Sequence, residues 1–458
     1  MVDKRKHLMV AALDFGTTFS GYAFSMRHEF EAEPLKIHCS IWDGGARALS
    51  SIKTPTCLLL DKEKKFVAFG YEAENQYADL VMDNEHDDYY FFHRFKMNLH
   101  NNKNITHSMV LEDITGKALS AVDVFTLSMK ALVDHLMKML TKQGTTVRNN
   151  EVQWILTVPA IWTDTAKQFM RTSAEKAGIP TEMLMLALEP EAASIYCQHL
   201  PIQKLHGSSP GFVMTEVGTK YMVVDLGGGT ADITVHEKAS NGQLKELCRA
   251  TGNECGGTSI DARFFKMLQE IAGEKVISEF KEKDPLSYLD LVREFEAVKR
   301  TVGTEKKKKV NVTIPFVAID RTCKEFGGKS LESAISSSLY VDKITLWGDK
   351  LRFNADLMIK LFTPTIDSII TLMKNTLSNR SANGVSNILM VGGFSEFPLI
   401  QEAVQKAFRG KRIIIPEDAG MSVLKGAILF GHRPDYIRSV KGDSLDADDD
   451  DDDGCIGK

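Results

Sequence analysis

The stretch Tyr221-Met-Val-Val-Asp-Leu-Gly-Gly-Gly-Thr-Ala-Asp232 decides the fold. An apolar strand runs into Asp225, three glycines and Thr230, and apolar residues resume at Ile233–His236. This is a strand, a tight turn and a returning strand. Three consecutive glycines lose much conformational freedom on folding, so the turn must serve a close approach of its backbone to something else. The same device opens the chain. Leu8-Met-Val-Ala-Ala-Leu13 runs into Asp14-Phe-Gly-Thr-Thr18, and Tyr22–Phe24 returns. One Asp-x-Gly-Thr-Thr alone also reads as an ordinary hairpin turn. Two copies in the same order indicate a duplication, with two α/β lobes facing each other across a cleft lined by matching turns.

Such turns have a definite chemistry. They expose successive backbone N–H groups, their small residues let a phosphate approach, and threonine hydroxyls add donors. An Asp at the strand end repels phosphate directly, but it can hold Mg²⁺ through water while the ion bridges the phosphates. Two turns from opposite lobes would clamp a nucleoside triphosphate along its phosphate chain.

Composition agrees with a globular enzyme or binding protein. A length of 458 residues gives a prior of about three domains or lobes. With 43% hydrophobic and 26% charged residues, collagen-like and mostly disordered classes are excluded. The net charge of −5, from 56 basic and 61 acidic residues, is too balanced for a nucleic-acid binder. Lys441–Lys458 alone holds eight Asp and two Lys, which accounts for the acidic sign. Seven scattered cysteines without a Cys-x-x-Cys pair read as reduced thiols and a cytoplasmic address, with nuclear entry left open. The run Leu8–Leu13 is too short for a secretory signal, no apolar stretch is long enough for a membrane span, and Cys455-Ile-Gly-Lys458 is a poor prenylation box.

Helical spacing predicts helices over Val122–Leu140 behind Ser120, Thr163–Ala177, and about 262–272, 286–302, 355–377 (bent near Pro364) and 421–430. Strands are expected at Trp154–Val158, Val310–Val317, Ile388–Val391 and Ile413–Ile415, whereas 53–110 reads as irregular and 321–340 as a polar surface insertion. The expected organisation is a first lobe over 8–218 with an insertion at about 41–117, a second over 219–432 with an insertion at about 256–345, and a short acidic, disordered tail over 433–458. Lys306–Lys309 reads as a solvated loop or acidic-partner patch, and His93, His100 and His107 as core or surface histidines.

Beyond the two turns, Thr157-Val-Pro-Ala160, Glu189-Pro-Glu-Ala-Ala193, Gly256-Gly257, Lys299-Arg-Thr301 and Val391-Gly-Gly393 complete a motif set. Together these resemble the nucleotide-binding domain of the 70-kDa heat-shock protein family over residues 8 to about 432. Phe19-Ser-Gly-Tyr22 and Phe394-Ser-Glu-Phe-Pro398 are most similar to its divergent heat shock 70 kDa protein 12 branch. The resemblance implies a two-lobed actin-like ATPase fold, built of duplicated ribonuclease-H-like units with a nucleotide cleft between them. It implies ATP or ADP and Mg²⁺ as cofactors. Asp14 and Asp225 would hold the metal and the attacking water, Glu189 would stand in the metal's outer shell, and Asp232 would orient or deprotonate the water. Gly16, Thr17, Thr18, Gly227, Gly228, Gly229 and Thr230 would face the phosphates, with Gly256 and Gly257 beside them. Gly392, Gly393 and Phe394 would form the adenosine pocket, framed from the side by Glu296, Lys299 and Arg300.

Departures from the family pattern set further expectations. In Gly70-Tyr-Glu-Ala-Glu74, Glu74 stands where the catalytic lysine is expected, with Lys62, Lys64 or Lys65 as substitutes by another path. An anion there would slow hydrolysis by removing transition-state stabilisation. Glu396 stands in place of an adenine-stacking arginine and Gly303 in place of a serine. No peptide-binding domain is expected after 432. The readings are therefore a slow ATPase whose lobes open and close, or a non-catalytic nucleotide-sensing adaptor read by an unidentified protein partner. A small-molecule kinase and a cytoskeletal polymer are the remaining uses of such a fold.

Overall fold

The structure, a computed structural model, describes residues 7–44, 50–100, 102, 105–106, 108–208, 214–305 and 309–436. The acidic run, His107 and Lys306–Lys308 fall outside them.

The duplication is visible in the sheets. Met9–Phe15 and Phe19–Met26 pair antiparallel, and Phe15 opposite Ser20 leaves Gly16–Thr18 as the turn. Val152–Val158 lies parallel on the other side of Met9–Phe15, and Leu184–Leu188 follows it. The second sheet repeats the plan. Lys220–Leu226 pairs antiparallel with Ala231–Lys238, bringing Asp225 opposite Asp232, while Leu244–Asn253 and Asn387–Val391 flank the pair. Arg412–Pro416 extends the sheet beyond Asn387–Val391. Every residue of Met9–Phe15 is buried, as a central strand with both faces covered requires.

Two helices fill the space between the sheets. Glu189–His199 and Ser422–His432 pack together, the latter also against the first strand and the former against Lys220–Leu226 of the second sheet. Val10, Ala12 and Ile155 of the first sheet share one core with Val223, Leu389 and Ile414 of the second, through Ala192, Ala427 and Ile428. A chain cut at 218/219 thus leaves two elements on the wrong side: Leu205–His206, which pairs with Arg412–Pro416 of the second sheet, and the last helix. That helix is buried along nearly its whole length and finds apolar cover only by returning to the first sheet.

The region 53–110 is regular, contrary to expectation. Cys57–Leu60 pairs with Phe66–Phe69 and Tyr90–His93, and the helix Tyr71–Met82 lies between them in sequence. Leu58 and Phe92 face one core, and Leu59 and Phe91 another. With both faces buried, no polar alternation marks the strands. The polar stretch 321–340 likewise carries helices Phe316–Gly327 and Leu331–Ser336. The strand expected to reach Val317 stops at Thr313, because Pro315 removes a ladder donor and starts a helix. Leu289 of the second lobe's helix Pro285–Lys299 packs with Tyr77 and Phe91 of the first lobe's insertion. The insertions therefore touch above the cleft.

Candidate functional site

The two turns meet across the cleft. A Cβ built on Gly228 would lie 2.4 Å from Thr18 Oγ1, and one on Gly229 would lie 2.6 Å from Thr17 Oγ1 and 2.2 Å from Met97 Sδ. The glycines are required because the opposite lobe's threonines occupy that space. The amide of Gly227 bonds Thr230 O at 2.9 Å and closes the turn. From below, Gly256 donates to Gly229 O at 3.1 Å, Gly257 to Gly227 O at 3.2 Å and Thr258 to Gly228 O at 2.8 Å. Those bonds hold the turn's carbonyls downward. The amides of Gly228 and Gly229 make no hydrogen bond among the described residues and remain available to an anion.

The cavity holds about 610 Å³, in the range of small-molecule sites. Asp14, Glu189 and Asp225 line it, and Lys53 and Lys96 stand beside these carboxylates. Lys53 Nζ is 2.6 Å from Asp14 Oδ2, and Lys96 Nζ is 3.2 Å from Glu189 Oε1. Burial opposes ionisation of Asp14, but Lys53 and Lys96 hold its carboxyl below the usual value. Asp225 lacks such a partner. Burial, then the charges of Glu189 and Asp14, push it up to about 8. Glu189 is raised by burial, with Lys96 opposing.

These groups fit a hard divalent cation. They are carboxylate oxygens, and the displaced titration of Asp225 marks negative charge that the two lysines leave uncompensated. Among the described residues no three His, Cys, Asp or Glu side chains are arranged to hold a metal by themselves.

The far end of the cavity has two walls of different origin. Gly392 follows the strand Asn387–Val391 with φ 82° and ψ 155°, a conformation confined to glycine. A Cβ there would meet Leu226 O at 2.4 Å and Asp225 Oδ1 at 2.5 Å. Gly392, Gly393 and Phe394 form one wall and Glu296, Lys299 and Arg300 another. The Arg300 guanidinium lies 5.6 Å from the Phe19 ring and 5.8 Å from that of Phe397. Glu396, in the position of the missing arginine, accepts the Gly420 amide at 2.9 Å.

Buried ion pairs close the roof. Arg94, at φ 54°, donates from Nη1 to Asp261 Oδ2 at 2.6 Å. Lys299 bonds Asp261 at 2.6 Å and pairs with Glu296 at 2.6 Å. Arg293 Nη2 stands 2.9 Å from Glu74 Oε2. Arg94 and Glu74 belong to the first lobe's insertion, and their partners belong to the second.

Three sequence expectations need correction. Glu74 does not face the phosphates. It is 5% exposed and pairs with Arg293 outside the cavity. The insertion instead brings Lys96 into the cleft, through the strand Tyr90–His93 and the left-handed turn at Arg94, while Lys62, Lys64 and Lys65 are exposed elsewhere. Asp232 does not line the cavity. It is 1% exposed, its Oδ1 has no hydrogen-bond partner, and burial with Glu189 and Asp225 raises its pKa well above normal. Gly256 also lies behind the wall, as the brace beneath Gly228 and Gly229. The remaining expected residues, Gly16, Thr17, Thr18, Gly227 to Thr230, Gly257, Glu296, Lys299, Arg300 and Gly392 to Phe394, come together around one cavity. Lys53, Lys96 and Tyr71 were missed. A signal for Lys96 lay in its setting between Phe95 and Leu99, since a lysine embedded in an apolar run is rarely idle.

Comparison with known proteins accords with this geometry. The Hsp70 protein family model matches residues 81–432. Human heat shock 70 kDa protein 12A is 39% identical over 95% of this chain and 71% of its own length. Human heat shock 70 kDa protein 12B is 37% identical over 94% of this chain and 69% of its own. The stromal 70 kDa heat shock-related protein of pea chloroplasts is 25% identical over 64% of this chain and 35% of its own. The chain belongs to the Hsp70 protein family, has its actin-like ATPase fold, and is an Hsp70-like nucleotide-binding protein.

Proposed function

We propose that this member of the Hsp70 family binds ATP and ADP with Mg²⁺ and hydrolyses ATP slowly, and that the state of the nucleotide sets the opening of its lobes. The observation that carries the reading is the meeting of both Gly/Thr turns with Asp14, Glu189, Asp225 and Lys96 around one cavity. The magnesium ion, when bound, would neutralise phosphate charge and polarise the bond to the leaving oxygen. Asp14 and Asp225 would hold it through water, with Glu189 outside them. Thr17, Thr18, Gly228, Gly229 and Thr230 would donate to phosphate oxygens. Lys96, held by Glu189, would stabilise charge developing on the transferring phosphoryl group and orient the attacking water. Phe394 and Arg300 would flank adenine.

Opening requires breaking the roof pairs of Arg94 and Glu74, so nucleotide release and lobe motion would share one barrier. Asp232 supports slow turnover. Its carboxyl lies behind the cavity wall rather than lining it, a poor position for a general base. The same observation favours a second reading, an adaptor that senses nucleotide without hydrolysing it. Exposed Leu339, Trp347 and Val317 in the second lobe's insertion support a protein partner. Free thiols at all six described cysteines support a cytoplasmic setting. No helix among the described residues is long and apolar enough to cross a membrane.

Single-turnover hydrolysis by wild type, Lys96→Met and Asp232→Asn tests the proposal. Wild-type turnover that Lys96→Met abolishes supports the ATPase. Tight nucleotide binding without turnover selects the adaptor. Absence of ATP and ADP binding defeats both.

A further inference from the structure

Lys53 has a position that the nucleotide reading leaves unexplained. It precedes the short strand Thr54–Pro55, which pairs with Phe19–Ser20 just after the first phosphate turn. Its stem crosses Gly21, where an added Cβ would lie 3.0 Å from Lys53 Cγ. Its ammonium reaches the cavity floor and bonds Asp14 Oδ2 at 2.6 Å and Gly420 O at 3.0 Å. Asp14 ends the first sheet's central strand, and Gly420 lies in the turn that leads into the last helix. An ammonium has three N–H groups, and these two bonds leave one for an oxygen in the cavity. Lys53 therefore neutralises the carboxylate that would otherwise repel a phosphate chain unless a metal ion lay between them.

We propose that Lys53 is a tethered cation for the phosphate chain, compensating charge at Asp14 whether or not a divalent ion is bound, so that nucleotide binding stays substantial without metal. The inference rests on the nucleotide reading above. It differs from that reading in predicting weak metal dependence and in assigning it to one side chain. Lys96 does not duplicate the role, because it is committed to Glu189 and lies 5.1 Å from the Trp162 ring.

Calorimetric titration of the full chain with ADP, in Mg²⁺ and in EDTA, tests it with no activity readout. A charge-assisted hydrogen bond to phosphate sets the scale. Wild type should weaken by less than about tenfold in EDTA, Lys53→Met by about a hundredfold or more, and Lys53→Arg should stay within about fivefold of wild type. An equal Mg²⁺-to-EDTA ratio in wild type and Lys53→Met overturns the inference and leaves the nucleotide reading standing. Should Lys53→Met fail to fold, a wild-type loss of about a hundredfold in EDTA overturns it alone. No ADP binding by wild type in either buffer defeats the nucleotide reading, and the inference with it.

Discussion

In a Glu74→Lys variant, the new ammonium would lie not beside a phosphate but against the Arg293 guanidinium, now 2.9 Å from the Glu74 carboxylate. Two costs combine. Removing one partner of a buried ion pair costs about 3–5 kcal/mol. Two like charges about 4 Å apart at an effective dielectric near 20 repel by about 4 kcal/mol, which rotation of the lysine tip toward solvent would partly relieve. Glu74 is 5% exposed and already titrates above its usual value because burial outweighs Arg293, so the site tolerates charge only when paired. The net expectation is a loss of about 4–7 kcal/mol, which for a chain of 458 residues is roughly 4–7 °C in Tm. Glu74→Gln, which keeps the shape, should lose about 1–3 kcal/mol. The swap Glu74→Lys with Arg293→Glu should recover at least about 1.5 kcal/mol beyond additivity. Scanning calorimetry of wild type, these three variants and Arg293→Glu alone measures these terms, and single-turnover hydrolysis of ATP runs beside it. The reasoning is refuted if Glu74→Lys melts within about 1 °C of wild type and hydrolyses ATP about tenfold faster or more, since that would place residue 74 at the reacting phosphate.

Other consequences are checked more simply. Lys96→Met should cut hydrolysis by about 10²–10³-fold with only a small change in ADP affinity, read as kcat against Kd. Gly392→Ala should lose about 1–3 kcal/mol from its forbidden φ, ψ alone and weaken ADP binding, since its Cβ meets Asp225 and Leu226; an unchanged denaturation midpoint counts against it. His236 is buried with both ring nitrogens unpartnered, and burial lowers its pKa to about 4. Its lowered pKa makes folding favour the neutral ring, so the stability is complete above pH 6.5 and is lost as pH falls toward 4. At about 1.4 kcal/mol per pH unit that amounts to roughly 3 kcal/mol. His236→Leu should flatten the acid limb of a urea-midpoint profile, while His7 and His432, lowered to about 4 and about 3 chiefly by burial, keep part of the slope.

The paired turns, the central strands and most of the residues around the cavity were legible in the chain because their requirements are local. A strand that must end in an unobstructed backbone needs Asp, Gly and Thr in sequence, and both copies show it at Asp14 and Asp225. The amphipathic helices Ala121–Lys142 and Asp164–Lys176 were legible for the same reason, each with one buried stripe. The insertion at 53–110 was not, because its strands are covered on both faces.

What the sequence by itself determined was a duplicated α/β protein with paired Gly/Thr turns facing each other across a cleft. Which cation enters that cleft was decided only by tertiary structure. Glu74 and Lys96 lie 22 positions apart in one insertion. The helix Tyr71–Met82 carries the first outward to Arg293, and the pairing of Cys57–Leu60 with Tyr90–His93 carries the second inward to Glu189. That register is a non-local choice made by two cores competing for alternate faces of the same strands. Short-range spacing, which places a side chain on its own helix or strand, holds no information about which lobe that side chain will meet.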